Sequence, residues 1–512
     1  MPSNTYCAVY DFELLPYALG DVLTWNVKTA IECEEAACEK VDIYICHDER
    51  YPASLYQRDL VTRENHGLFF SELYGAFGTH PKLGNLFIFR SRDELVSQLA
   101  RVAEKNGPSQ EAVRRYLDVL ARKSDQAAMV EYFTQTIRTH EQINAYAAKT
   151  GTIPLLNTSL GCEPDVAGLI TRRFNGRRIV AVHTRLRRLD AGYSGRRSYE
   201  RDSDTLAWYE FMRAAETEFP DVLFVLLGRL QEKPLEFLRL PNAVSLRTFG
   251  LGLGHELTLV AKCNLFIGTS SGFAAMANFS EVPYFITRMT QTSCDTYQIP
   301  HGVDRLPFAR SKQRLVYEPE SAGNLMALLR EGLKDATPPF SGSGPRLDEG
   351  GDNGSWEWER AQWLAPHATT YRFYDDDEYA DREIAFLLEP RIREARVALK
   401  LGDAKLVEET LQRIKAVFPR LAYRSADFLR ISYEQAIAGN DHDRAAACKA
   451  LLARLGTQEH GVRRIINLSK RLSKRAYPIL LDAKEFWRRV RRAPGKLLHG
   501  LNTRLFSAHR SK

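Results

Sequence analysis

The sequence predicts an α/β protein, two Rossmann-like domains in series, followed by an α-helical extension and a basic tail. Three observations predict it. Over residues 1–336, short runs of β-branched and apolar residues alternate with helical periodicities. Several of these runs end in small-residue turns that lead into the next helix. Beyond Thr337 the strands stop, and a Pro-, Gly- and Ser-rich stretch gives way to helical patterning alone. Strand and helix alternating at this spacing form the pattern of a parallel, doubly wound sheet.

Residues 1–172 make the first half. Tyr6 to Phe12 is an apolar run, Leu19-Gly20-Asp21 reads as a glycine turn, and Val22 to Cys38 is helical. Val41-Asp42-Ile43-Tyr44-Ile45-Cys46 then alternates at period two, completing a βαβ opening. Leu86-Phe87-Ile88-Phe89 reads as a further buried strand. From Arg92 to Lys149 Leu95, Leu99 and Val102, then Val113, Leu117 and Leu120, repeat at three and four, which predicts a helical insertion.

Residues 173–336 repeat the plan. Strand Ile179–Val182 is followed by helix Thr205 to Glu218, closed by Pro220, and by strand Val222 to Leu227. Strand Ala243 to Leu246 and helix His255 to Lys262 come next. Strand Leu265-Phe266-Ile267 then runs into Gly268-Thr269-Ser270-Ser271-Gly272, a helix and strand Tyr284-Phe285-Ile286. Two such halves in series would face one cleft.

Residues 337–390, with Pro338-Pro339, Ser341-Gly342-Ser343-Gly344-Pro345 and Gly350-Gly351, read as linker and packing helices. Residues 391–460 hold two helical hairpins turning at Gly402 and Gly439. The two glycines are 37 residues apart, near the 34-residue period of tetratricopeptide (TPR) helix pairs. Two such units are too few for a free solenoid, so this TPR-like pair is expected to pack on the body and to offer a face to a protein partner.

The chain has 512 residues, 44% hydrophobic and 26% charged, the composition of a soluble globular protein. Its longest apolar run, Val222 to Leu227, is far short of the roughly 20 residues of a membrane span. The first residues carry Asp11 and Glu13 rather than a basic stretch before an apolar one, so a cytoplasmic protein is expected. The eight cysteines are dispersed without a Cys-x-x-Cys pair and read as reduced, buried thiols. The net charge of +7 hides an asymmetry. Residues 461–512 hold 15 Lys and Arg against Asp482 and Glu485, so this tail carries +13 and the rest of the chain −6.

The segment richest in chemistry is Val182-His183-Thr184-Arg185-Leu186-Arg187-Arg188-Leu189-Asp190, directly after a strand. Parallel sheets bind ligands at the carboxyl ends of their strands. His183, Arg185, Arg187 and Arg188 there suit a diphosphate, whose charge grows as it leaves. The competing reading is a basic loop paired with Asp202 and Asp204. Thr269, Ser270, Ser271 and Gly272 form a strand-to-helix turn whose glycines would admit a ligand to the backbone and whose amides would receive phosphate. The plainer alternative is an N-capped βα turn. Arg229 is either a further phosphate clamp or a solvated arginine, and His255-Glu256 is a weaker donor-site candidate. Asp202-Ser203-Asp204 and Asp375-Asp376-Asp377 lack the preceding buried strand that would set paired carboxylates on a divalent ion. They read as solvated clusters, so neither metal nor other cofactor is expected, the arginines supplying the charge.

Residues 177–287 resemble the nucleotide-sugar half of GT-B glycosyltransferases, particularly fucosyltransferase-type enzymes with an H-x-R-R-x-D motif. His183-x-Arg185 matches the start of that motif, and Leu186 to Asp190 departs from it by a short insertion. Thr269-Ser270-Ser271-Gly272 is similar to the turn that receives the diphosphate in that family. Gly20-Asp21 resembles the Gly-Asp turn of heptosyltransferase-like GT-B enzymes, where an acid faces the acceptor. The resemblance implies a GT-B fold and a nucleotide-sugar donor held by the second half. It also implies a glycan or lipid-linked acceptor near Gly20, with Asp21 as general base. A helix N-cap is the competing role for Asp21.

In the tail, Phe486-Trp487-Arg488-Arg489-Val490-Arg491-Arg492 and Leu497-Leu498 suit an interfacial helix on an anionic leaflet, ahead of a merely solvated tail and of nucleic acid. The expectation is therefore a cytoplasmic transferase, peripheral on the membrane, working in surface polysaccharide synthesis. Its rivals are a catalytically silent nucleotide- or sugar-binding scaffold and a sugar-nucleotide epimerase.

Overall fold

The computed structural model describes residues 5–53, 57, 61–104, 108–174, 176–185, 201–229, 233–339, 387–453 and 455. Arg187, Arg188, Asp375-Asp376-Asp377 and the basic tail lie outside the described residues. The chain divides into two compact units, Met1–Glu349 and Gly350–Lys512.

The first unit holds both halves read from the sequence. Strands β1 (Thr5–Asp11), β2 (Lys40–Cys46) and β3 (Leu83–Phe89) form a parallel sheet in the order β1-β2-β3. Helix α1 (Leu19–Glu35) connects the first pair and α2 (His66–Phe77) the second. Helices α3 (Arg92–Ala103), α4 (Glu111–Ala121), α5 (Gln126–Ile137) and α6 (His140–Thr150) make the expected insertion. The ring of Tyr10 meets Trp25 of α1 and Phe77 of α2 edge-on, each at 5.2 Å, and these aromatics fix the helices on the sheet. Two expectations change. Leu19-Gly20-Asp21 is the first turn of α1 rather than a loop turn. The edge strand β3 exposes Phe87 and Ile88, where the sequence predicts a buried strand.

Helix α7 (Glu163–Arg173) leads into the second half. Its elements are β4 (Arg178–His183), α8 (Thr205–Glu218), β5 (Val222–Leu226), α9 (Leu235–Leu238), β6 (Ala243–Val244) and α10 (Leu253–Lys262). They continue with β7 (Leu265–Thr269), α11 (Gly272–Asn278), β8 (Tyr284–Thr287), α12 (Gln291–Tyr297), β9 (Gln313–Leu315) and α13 (Ala322–Gly332). The six parallel strands run in the order β6-β5-β4-β7-β8-β9. Counted within this half the order is 3-2-1-4-5-6, the doubly wound Rossmann arrangement, with its switch point between β4 and β7. β5 and β7 are buried at every residue, as strands covered on both faces must be.

The second unit is helical among its described residues. Helices α14 (Glu389–Leu401) and α15 (Ala404–Val417) form a hairpin through Gly402, whose φ of 76° lies in the left-handed region. Helices α16 (Pro419–Ala422) and α17 (Ala426–Ala438) follow, and Gly439 precedes a last helical stretch, 442–453. No helix among the described residues is long and apolar enough to cross a membrane.

Candidate active site

The switch point is where the sequence placed its basic loop. β4 ends at His183, whose register partner on β7 is Gly268. A Cβ at residue 268 would stand 2.6 Å from the His183 carbonyl oxygen, so only glycine lets the two strands close here. The half-buried His183 ring lies 5.0 Å from Phe273, and its Nδ1 has no partner. Burial, and then the charges of Lys233 and Arg185, push its pKa well below the usual imidazole range, so the ring is neutral. Arg185 is pinned through its backbone, its N–H donating to Ser203 Oγ (2.9 Å) and its carbonyl accepting from the Ser203 N–H (2.6 Å).

Across the switch point, the turn after β7 divides its labour. Thr269 Oγ1 is buried without a partner. The Ser270 hydroxyl lies 3.3 Å from that of Tyr297, and its carbonyl accepts from Arg201 at 2.7 Å. Ser271 has the plainer role, capping α11 by accepting from the Ala274 N–H. Gly272 has a packing role of its own. A Cβ there would stand 2.6 Å from Leu19 Cβ and 3.0 Å from the Gly20 nitrogen, so its space is taken by the first turn of α1.

That contact brings the halves together. Gly20, the expected acceptor-side glycine, packs with 3.4 Å between its would-be Cβ and Gly272 Cα. The first turn of α1, which carries Asp21, therefore packs against Gly272. Asp21 is the third residue of α1, and the N-cap position belongs to Ala18, so Asp21 is not the cap. The carboxyl is half-buried, and burial raises its pKa to about 6 against the opposing charge of Arg138. A carboxyl whose pKa is raised to about 6 is suited to proton transfer.

The other candidates fall nearby with different partners. Arg229 is exposed and lies over the Phe69 ring of α2 at 5.7 Å, joining one half to the other. His255 is half-buried, with Nε2 3.3 Å from Asp165. Glu256 is fully buried and accepts from the Gly228 N–H (2.9 Å) and twice from Arg247 (3.0 and 2.9 Å), which also reaches Glu72 of α2 at 3.0 Å. Burial lifts the Glu256 pKa to about 7. This carboxylate is a strut between halves rather than an open donor site. Asp202 and Asp204 are buried, not solvated, because Asp204 caps α8 through the Ala207 N–H and its own N–H donates to the buried Glu320.

Three residues near the site went unread in the sequence: Arg201, Lys233 and Arg138. Lys233 is 2% exposed and its charge is felt by both His183 and Glu256. None of the three belongs to a motif whose spacing would mark it. Among the described residues, no group of three His, Cys, Asp or Glu side chains is placed to hold a metal ion.

No family model matches the chain, and no curated protein matches it. Among solved structures it is similar to the ADP-heptose lipopolysaccharide heptosyltransferase II of E. coli, with 11% identity and a TM-score of 0.39, covering 64% of this chain and 98% of that one. A glycosyl transferase family 9 structure from Veillonella parvula gives 12% identity and a TM-score of 0.37, covering 66% and 99%. A putative UDP-N-acetylglucosamine 2-epimerase from Listeria monocytogenes gives 11% and 0.29, covering 67% and 93%.

Proposed function

We propose that the chain is a nucleotide-sugar glycosyltransferase of the GT-B type. The observation that carries this reading is the meeting of the two halves at Gly20 and Gly272. It brings the first turn of α1, which carries Asp21, against the turn that follows β7 at the switch point of a Rossmann sheet. In this reading the donor diphosphate lies outside the carboxyl ends of β4 and β7, near Arg185, Arg201 and Thr269 Oγ1. Arg187 and Arg188, which follow in the sequence outside the described residues, belong to the same proposed donor set. Asp21 takes the proton of an acceptor hydroxyl as its oxygen bonds to the anomeric carbon. The bond from that carbon to the diphosphate oxygen breaks, and the electron pair leaves with the diphosphate. Fixed guanidinium groups stabilise that growing charge in the role a divalent ion fills elsewhere.

The reading extends to a glycan or lipid-linked acceptor in surface polysaccharide synthesis, with the TPR-like pair serving a protein partner. A melting-temperature screen against UDP, GDP, ADP and CDP tests the core of it. A diphosphate at about 100 times its Kd adds roughly 2.7 kcal/mol of stability. A selective rise for one base, lost in Arg185→Ala, is the expected outcome. No rise with any diphosphate would remove the donor site and with it the transferase.

A further inference from the structure

The segment between α6 and α7 joins the two halves, and it is not an ordinary connection. A loop between domains normally runs over the surface, where water meets its backbone groups. Here Ile153, Leu156 and Ser159 are 5%, 5% and 3% exposed. Their neighbours' and their own polar groups are met by both halves in turn. The Leu156 N–H donates to the Phe279 carbonyl (2.8 Å), at the end of α11 in the second half. The Asn157 N–H donates to the Thr79 carbonyl (2.9 Å) of the first half. The Asn157 side-chain amide donates to the carbonyls of His80 (3.3 Å) and Pro81 (3.1 Å), also in the first half. Ser159 reaches both. Its N–H donates to Thr258 Oγ1 of α10 (3.0 Å), and its hydroxyl donates to the Gly75 carbonyl of α2 (2.7 Å).

Ser159 also fills the crossing of α2 and α10. A Cβ on Gly254 would stand 2.8 Å from Ser159 Oγ, and one on Gly75 would stand 2.8 Å from the Gly254 backbone. Two helix backbones and one serine therefore occupy each other's space. Ahead of the segment, α6 docks on the second half. The His140 ring lies 5.3 Å from Tyr297 and 5.9 Å from Phe279, and the Asn144 side chain donates to the Tyr297 carbonyl at 3.2 Å. Swinging the halves apart would break the Leu156 and Ser159 bonds together and leave buried N–H groups unmet, which is costly. Domains that rotate do so through linkers able to absorb large changes in φ and ψ. This linker is held from both sides, and both halves fall in one compact unit.

We propose that residues 153–159 are a strap that fastens the two halves into one rigid body, so that the first turn of α1 and the turn after β7 keep their spacing with or without a ligand. The fastening does not depend on the transferase reading. Its consequence for catalysis, a site assembled before substrate arrives, does. Two measurements on the full chain test it. In hydrogen exchange, the Leu156, Asn157 and Ser159 amides should exchange within about tenfold of those of β7, as groups do that open only when the whole unit unfolds. Spin labels on unnatural residues at Gln98 of α3 and Ala327 of α13, both exposed, should report one narrow distance, unchanged by UDP, GDP, ADP or CDP. Asn157→Ala with Ser159→Ala removes three side-chain links to the first half and keeps the backbone ones. That variant should broaden the distance and speed exchange of the strap amides relative to β7. Strap amides more than about tenfold faster than β7 in the parent would overturn the strap. So would two distances in the parent, a double variant that matches the parent in both measurements, or a shift of more than about 2 Å on adding a diphosphate. A diphosphate that binds and moves the halves would overturn the strap while leaving the transferase reading intact. Slow exchange and a single distance, with no diphosphate bound, would keep the strap and remove the transferase.

Discussion

At the scale of single residues, the reading turns on Asp21. Its folded pKa of about 6 lies above the ordinary carboxyl value of 3.8, so the native state holds this proton more tightly than the unfolded chain. Any stabilisation from that proton is present below pH 4 and is lost as pH rises through about 6. Above pH 6 a buried carboxylate is a liability of on the order of 2 kcal/mol. Asp21→Asn should therefore melt higher than the parent at pH 7 to 8, with the gap closing towards pH 4. A base must be ionised to act, so transfer by the parent should rise with pH through about 6. In Asp21→Asn it should fall by about 10² to 10⁴ and lose that limb. Melting curves across pH, paired with initial rates, check both halves of the claim. A variant that is less stable at pH 8 and retains its rate would make Asp21 structural.

At the scale of elements, backbones approach closely where the halves meet, and glycines permit it. α1 reaches α11 through Gly20 and Gly272, and α2 reaches α10 through Gly75 and Gly254, where a Cβ on Gly75 would stand 2.8 Å from the Gly254 backbone. Gly272→Ala would drive a methyl into Leu19 Cβ at 2.6 Å, an overpacking that costs about 1–3 kcal/mol. Leu19→Ala keeps the Cβ but removes the branch whose Cγ stands 2.8 Å away, so the double variant should regain part of that loss. Denaturant unfolding of the two single variants and the pair measures the coupling. Additive losses would mean that the helices do not meet as described. The same contacts mark what the sequence could and could not show. Periodicity and β-branched runs made the strands and the parallel, doubly wound plan legible, because the central residues of β4, β5 and β7 are buried, while the strand order came only from the structure. The carboxyl-end location of His183 and Arg185 followed from strand position. The closeness of Gly20 to Gly272 did not, for it depends on how two separately readable halves dock. Glycine in a βα turn looks the same in sequence whether a ligand or a helix fills the space beside it. Burial of Glu256 was hidden for the same reason, since its partners are the Gly228 N–H and Arg247, which only tertiary packing supplies.

At the scale of the whole molecule, charge is distributed as two functions would require. Residues 461–512 carry +13 while the remainder carries −6, so a single net value of +7 describes neither part. A tail of that charge, with Phe486, Trp487, Val490, Leu497 and Leu498 interspersed, can add apolar insertion to electrostatic attraction at an anionic surface. Each basic residue near such a surface contributes about 1 kcal/mol, and the contribution falls away as salt shortens the screening length. A nucleic-acid tail would share the salt dependence but not the need for apolar side chains. Co-sedimentation with vesicles containing about a third phosphatidylserine separates the two explanations. The full chain should pellet with these vesicles and remain in solution with neutral phosphatidylcholine, and high salt should release most of it. Removing residues 461–512 should abolish pelleting while leaving diphosphate binding unchanged, since the proposed donor residues all lie within residues 183–272. Trp487→Ser with Leu497→Ser, which keeps every charge, should weaken vesicle binding severalfold yet leave any binding to single-stranded DNA unaltered. Equal binding to both surfaces by the full chain, untouched by those two substitutions, would assign the tail to charge alone and remove the membrane from its role.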